Sequence, residues 1–234
     1  MNKSSVVTFI TVSIVLLVGV FFIWMMMSFW DGGEDINIIQ PSSEEVQDNQ
    51  QQIDPLVTSA EDVYLALVGE DDPLRGDQGI ELLILEFGDF ECPYCSQIQE
   101  SLINILAKFD GKVGLVWKDF PNPSHPQARL AALASRCAEE QGKFWQYHDY
   151  LFVNQDQLSR ELYNQLALEL DLDLQLFNSC LETQKYIKKV GQGLEDGQRL
   201  GVDATPYLFI GKSVIDFAAS QEEIEGVIRK ELKN

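Results

Sequence analysis

Positive charge is scarce in this sequence. Seventeen Lys and Arg stand against 37 Asp and Glu, for a formal net charge of −20. A phosphate backbone is held by clustered cations, so this balance argues against nucleic acid as a partner. The densest basic group, Lys185, Lys188 and Lys189, reads as one solvated helix face. Cysteine is also sparse: four in 234 residues, at positions 92, 95, 137 and 180. A structural zinc site normally draws on two close pairs, and only Cys92 and Cys95 stand close together. No metal is therefore expected. Internal repeats are absent, and only one apolar run is long enough to matter to a membrane.

That run covers residues 6–30, 25 positions without a charged side chain. At about 1.5 Å per residue, such a helix exceeds the roughly 30 Å hydrocarbon core and can span it with some tilt. Trp24, Phe29 and Trp30 lie at its far end, where amphipathic rings suit the headgroups. The alternative is a cleaved signal peptide, whose apolar region is usually about 7–15 residues and ends at a small-residue site. No Ala-x-Ala follows here, and no cysteine closes the run as in a lipoprotein. Residues 1–30 thus read as an uncleaved transmembrane anchor. Lys3 precedes the run, whereas residues 31–72 hold twelve acidic side chains and no basic one. Positive charge stays on the cytoplasmic side, so the remainder is expected outside the cytoplasm on a single-pass anchor. Disulfides persist there. Residues 31–62, acidic and Gln-rich, cannot bury enough apolar surface to offset ordering entropy and read as a flexible linker.

The folded domain is expected over 63–234. Residues 63–68 (VYLALV) suggest a first strand, and residues 80–87 (IELLILEF) a buried central strand. After CPYC, the residues Ile98, Leu102, Ile105, Leu106 and Phe109 recur at helical spacing. Residues 112–119 (KVGLVWKD) form a second strand, closed by the proline-rich loop FPNPSHP. Residues 127–200 read as helical throughout. TPYLFI and SVIDF flank Gly211-Lys212 as a hairpin, and a last helix opens with Ser220 and Glu223 as a capping box. Early β units and a late hairpin, separated by helices, predict an α/β core carrying a helical insertion over about 124–200.

CPYC falls where a buried strand gives way to a helix. Unpaired backbone N–H groups and the helix dipole favour negative charge there. Pro93 suits the first turn, since it lacks an N–H that would be orphaned anyway. Cys92 is then held as a thiolate, with a pKa in the range of roughly 3.5–7.5. Cys95 lies three residues on, on the same face, within disulfide reach. Together they form an exchangeable pair: Cys92 attacks or is attacked, and Cys95 resolves the mixed disulfide. An inert staple or half of a zinc site are the alternatives.

The stretches DDPLRG, EFGDFECPYC, KDFPNPSHPQARLAA, CAEEQGKFWQYHDYLF and GVDATPYLFIGK follow one another over about residues 70–232. In that order they resemble the DsbA-like thiol:disulfide oxidoreductases, thioredoxin-fold proteins with a helical insertion. The resemblance implies that Glu86 is a buried acid near the resolving cysteine. Desolvated by neighbours such as Leu83 and Leu85, it would have a raised pKa and exchange protons with Cys95; a strand-end carboxylate reaching water is the alternative. It implies that Thr205-Pro206 is a cis-proline loop facing the cysteines and pairing with substrate backbone. It also leaves Cys137 and Cys180 as a second pair. Cys137 shares a face with Leu130, Leu133 and Ala134, and Cys180 with Leu176 and Phe177, so both point into packing. Two buried thiols are possible, but an oxidising compartment favours a structural bridge, worth about 4 kcal/mol in the chain-entropy model. His125 and His148 fit the insertion as structural hydrogen-bonders.

The implied activity is disulfide introduction into exported protein thiols, with a DsbB- or VKOR-like quinone-linked membrane protein as reoxidant and no dissociable cofactor. A reductase or isomerase of the same fold is the rival direction, and a non-catalytic module with two staples the rival of another class. One departure bears on potency. Strongly oxidising members carry Pro-His between the cysteines, where this chain has Pro93-Tyr94. Tyr94 bears no positive charge, which predicts a weaker oxidant. The glycines Gly191, Gly193 and Gly197 load one expected helix at a cost of up to about 1 kcal/mol each.

Overall fold

A computed structural model describes residues 64–76, 79–217 and 219–233 of the chain. The anchor expected over 1–30 and the linker over 31–62 lie outside the described residues. Among the described residues, no helix is long and apolar enough to cross a membrane.

The centre is a five-stranded sheet in the order β1-β3-β2-β4-β5. Its strands are β1 (Leu74–Arg75), β2 (Leu82–Gly88), β3 (Val113–Asp119), β4 (Tyr207–Ile210) and β5 (Ser213–Asp216). β2 and β3 run parallel, and the other neighbours are antiparallel. The parallel pair is joined by α1 (Pro93–Lys108), the crossover a parallel connection requires. β2 is apolar along its whole length because both sheet faces are covered. Leu82 and Ile84 pack with Ile98, Leu102 and Ile105 of α1, and with Ile224 and Ile228 of the last helix. Leu85 and Phe87 point the other way, to Tyr64, Val116, Val202 and Phe209.

Between β3 and β4 the chain inserts α2 (Ala128–Glu139), α3 (Phe144–Val153), α4 (Arg160–Glu169), α5 (Leu174–Glu182) and α6 (Ile187–Arg199). These helices bury a core of their own around Leu133, Tyr147, Leu151, Tyr163 and Phe177. The Cys137–Cys180 disulfide ties α2 to α5 across a Cα–Cα distance of 5.8 Å. α7 (Gln221–Glu231) closes the domain, and both halves of the capping box form, with Ser220 accepting from the Glu223 N–H and Glu223 accepting from the Ser220 N–H.

Three expectations need correction. Residues 64–68 form a helical turn instead of a strand: the Leu67 and Val68 N–H groups bond to the Tyr64 and Leu65 carbonyls, and the Leu67 carbonyl accepts from Lys118 Nζ at 2.6 Å. With the backbone so committed, the place beside β3 goes to Leu74 and Arg75. Leu176 does not share the Cys180 face; it is 59% exposed. The glycines of α6 also divide. A Cβ on Gly193 would lie 2.4 Å from the Asp119 carbonyl oxygen, and one on Gly197 2.5 Å from the Phe120 ring. Those two let α6 press against the end of β3. Gly191 meets nothing within 4 Å and borders a cavity of about 440 Å³ between α6 and the loop 121–126.

Candidate active site

β2 ends at Gly88, the chain turns through Asp89, Phe90 and Glu91, and Cys92 caps α1 from an extended conformation. Pro93 takes the first helical position. No acidic side chain occupies the first turn, so the exposed N–H groups are left for the sulfur. Asp89 builds this loop. Its Oδ1 accepts from the Glu91 N–H at 2.8 Å, its Oδ2 accepts from the Asn122 N–H at 2.9 Å, and Oδ2 also meets His125 Nδ1 at 2.7 Å. The loop is gripped from the insertion as well. Gln155 donates through Nε2 to the carbonyls of Phe90 at 2.8 Å and Cys92 at 2.9 Å.

Cys92 and Cys95 stand as two thiols in very different surroundings. Cys92 is 5% exposed, and Tyr94 beside it is half exposed. Its thiol pKa is lowered to about 5. The leading cause is the hydrogen bond donated by Cys95, followed by the Thr205 hydroxyl and the backbone N–H groups of Cys95 and Tyr94, all against the cost of burial. The helix terminus expected to carry the effect contributes, but the partner thiol contributes more. When protonated, Cys92 Sγ donates to the Thr205 carbonyl at 3.3 Å. Thr205 is joined to Pro206 by a cis peptide bond, and this loop lies against Cys92. Cys95 is fully buried, and the same bond that acidifies Cys92 works against it. Desolvation, donation to Cys92 and the nearby Glu86 together push its thiol well above the ordinary value. One sulfur is poised as an anion and its neighbour as a neutral donor.

Glu86 is fully buried on β2, in register with Trp117 and Leu208. Desolvation raises its pKa to about 8. Leu83 and Leu85 are not its companions; side chains alternate along a strand, so Ile84 shares its face, beneath α1. From that helix Gln99 donates to Glu86 Oε1 at 3.1 Å. Glu86 Oε2 is buried without a hydrogen-bond partner.

His125 serves the Asp89 network. His148 bonds Asp149 through Nδ1 at 2.9 Å, while its Nε2 is buried without a partner against the rings of Phe90, Trp117 and Phe152. The pairing of Cys137 with Cys180 removes both from any shared metal site. Among the described residues, no group of three His, Cys, Asp or Glu side chains could hold a metal.

Asp89, Gln99 and Gln155 were not singled out by sequence. Gln99 carried a usable signal, one helical turn beyond Cys95 on the same face. Asp89 lies two residues before the Glu91 N–H it binds, an Asx-turn spacing. Gln155 had none, since it reaches the loop from 63 residues away.

Comparisons with known proteins fit this geometry. A family model described as thioredoxin matches residues 69–230. Among curated proteins, the Na(+)/H(+) antiporter NhaA 3 of Salinispora tropica is 33% identical over 150 residues, 64% of this chain. The chain spans only 23% of the length of that relative. Among solved structures, oxidised BdbD from Bacillus subtilis is 26% identical with a TM-score of 0.64, covering 70% of this chain and 94% of that one. The thiol-disulfide exchange protein α-DsbA2 from Wolbachia pipientis shares the fold at 18% identity, with a TM-score of 0.66 over 73% of this chain and 93% of its own.

Proposed function

The chain belongs to the thioredoxin family, in its DsbA-like branch of thiol:disulfide oxidoreductases, and from that premise we propose that it works as an oxidase of exported protein thiols. The observation that carries this reading is the asymmetry of the pair. An acidic Cys92 stabilises the reduced enzyme as a thiolate, which makes its disulfide the more ready to accept electrons.

In the proposed reaction a substrate thiolate attacks Cys92 Sγ, the sulfur nearer the surface. Cys95 departs as a thiolate inside the protein, where an anion is costly. Glu86, neutral near pH 7, supplies the proton that discharges it. A second substrate thiolate then attacks the substrate sulfur of the mixed disulfide and releases Cys92 as a stable anion. Thr205 and Pro206 present the loop against which substrate backbone would lie. Tyr94 offers no positive charge to the thiolate and keeps the oxidising power moderate. A quinone-linked membrane protein of DsbB or VKOR type would restore the disulfide.

The setting proposed is extracytoplasmic, on a membrane anchor formed by residues 1–30. The buried Cys137–Cys180 bridge supports it, since such bridges persist in oxidising compartments.

The test is turnover with a reduced, unfolded dithiol protein. The oxidised chain should yield one substrate disulfide per Cys92–Cys95 pair reduced. Preferential reduction of a preformed substrate disulfide by the reduced chain would assign the opposite direction.

A further inference from the structure

Gln99 has no part in sulfur exchange, yet it is buried beside both reacting groups. It is 7% exposed on α1, and an amide there costs free energy unless both donors find acceptors. They do. Nε2 donates to Glu86 Oε1 at 3.1 Å and to the Cys95 carbonyl at 3.2 Å. The second bond fixes the orientation of the amide. A carbonyl only accepts, so turning the Gln99 oxygen toward Cys95 would set two acceptors face to face.

The consequence falls on Glu86. An NH₂ group only donates, so Glu86 Oε1 must accept from it in either protonation state. In the neutral acid the carbonyl oxygen is the stronger acceptor, so this bond favours Oε1 as the carbonyl and Oε2 as the oxygen that carries the proton. That oxygen is the buried atom left without a protein partner.

We propose that Gln99 is a positioning residue that selects Oε2 as the proton-carrying oxygen of Glu86 and leaves it free for exchange with Cys95. This rests on the reading of Glu86 as the proton donor above. As the Cys92–Cys95 bond breaks and the substrate–Cys92 bond forms, Cys95 leaves with the electron pair and takes the proton from Oε2. Glu86 becomes a carboxylate that still accepts from Gln99 through Oε1. In reverse, the Cys95 S–H returns its proton to Oε2, and the thiolate attacks Cys92 and expels the bound thiol. Gln99 also opposes burial by favouring the carboxylate, which keeps Glu86 titrating close to neutral pH.

The reverse step gives the assay, because it needs the carboxylate. The full chain is converted to a Cys92–glutathione mixed disulfide, and the rate at which Cys95 expels glutathione is followed from pH 6 to 10. The wild type should show an inflection near pH 8. Gln99→Met keeps the length and removes the donors. It should move that inflection up by about one unit and slow expulsion at pH 7 about tenfold, since the carboxylate fraction falls tenfold per unit. In the reduced variant the thiolate absorbance of Cys92 should still titrate near 5. Gln99→Glu, in which two carboxyls share the site, should also raise the inflection and serves if the Met variant does not fold. An unmoved inflection in a Gln99 variant, with Glu86→Gln abolishing it, overturns the positioning role alone. An inflection that survives Glu86→Gln overturns the role of Glu86 and this inference with it. Parallel movement of the Cys92 and Glu86 titrations would mark a merely structural residue and also overturn it.

Discussion

Reducing the Cys92–Cys95 bond should stabilise this fold at neutral pH and destabilise it in acid. The Cys92 pKa is 9.0 for an ordinary thiol here and about 5 in the folded protein. Because the folded value is depressed, the contribution is fully present above pH 9, shrinks as pH falls, and is lost below pH 5. At pH 7 two of the four units are expressed, worth about 3 kcal/mol in favour of the reduced form. Breaking a disulfide across so short a loop frees the unfolded chain, a cost of roughly 2 kcal/mol that does not depend on pH. Glu86 is expected to contribute similarly in both redox forms and so to cancel to first order in the difference. Net stability should therefore favour the reduced protein by about 1 kcal/mol at pH 7 and the oxidised protein by about 2 below pH 5, with equality at roughly pH 6.5. Urea unfolding of both forms from pH 4.5 to 8 measures this, with alkylation mapping to confirm that Cys137–Cys180 stays intact. A difference that does not change between pH 4.5 and 7 would mean that Cys92 is not acidified by folding, whatever its absolute value.

Other perturbations are expected to act as follows. Glu86→Gln should stabilise both redox forms: with a folded pKa raised from 4.5 to about 8, the carboxyl destabilises the fold increasingly between those values. The gain should be absent below pH 4.5, reach up to about 3 kcal/mol at pH 7, and be read as a higher urea midpoint. Gln155→Ala removes two donors to the Phe90 and Cys92 carbonyls and should cost about 1–3 kcal/mol, with faster amide exchange in residues 89–92. In α6, Gly193→Ala should destabilise by driving a methyl into the Asp119 backbone, whereas Gly191→Ala should raise the melting temperature, gaining up to about 1 kcal/mol of helix propensity.

Much of this architecture was written locally. Ile98, Leu102 and Ile105 recur at helical spacing and do cover the sheet. Gly211 and Lys212 form the two-residue turn between paired Ile210 and Ser213. CPYC at the close of an apolar strand was enough to place the pair at the head of α1. What sequence could not supply came from tertiary competition. Residues 64–68 had the composition of a strand, but Lys118 captures the Leu67 carbonyl and the backbone closes on itself. Leu74 and Arg75 form so short an edge strand that no periodicity can mark them. The acidity of Cys92 was anticipated from the helix end alone, yet its largest source is the thiol three residues away. Gln155 and Asp89 act through contacts that only the folded chain creates.

The standing of this protein as an oxidase turns on the reduction potential of Cys92–Cys95, measured by equilibrating the full chain with glutathione buffers at pH 7. An oxidase should show a value between about −120 and −180 mV, with a drop of about 60 mV in a variant whose Cys92 titrates as an ordinary thiol. A potential near −270 mV, that of thioredoxin, would contradict it.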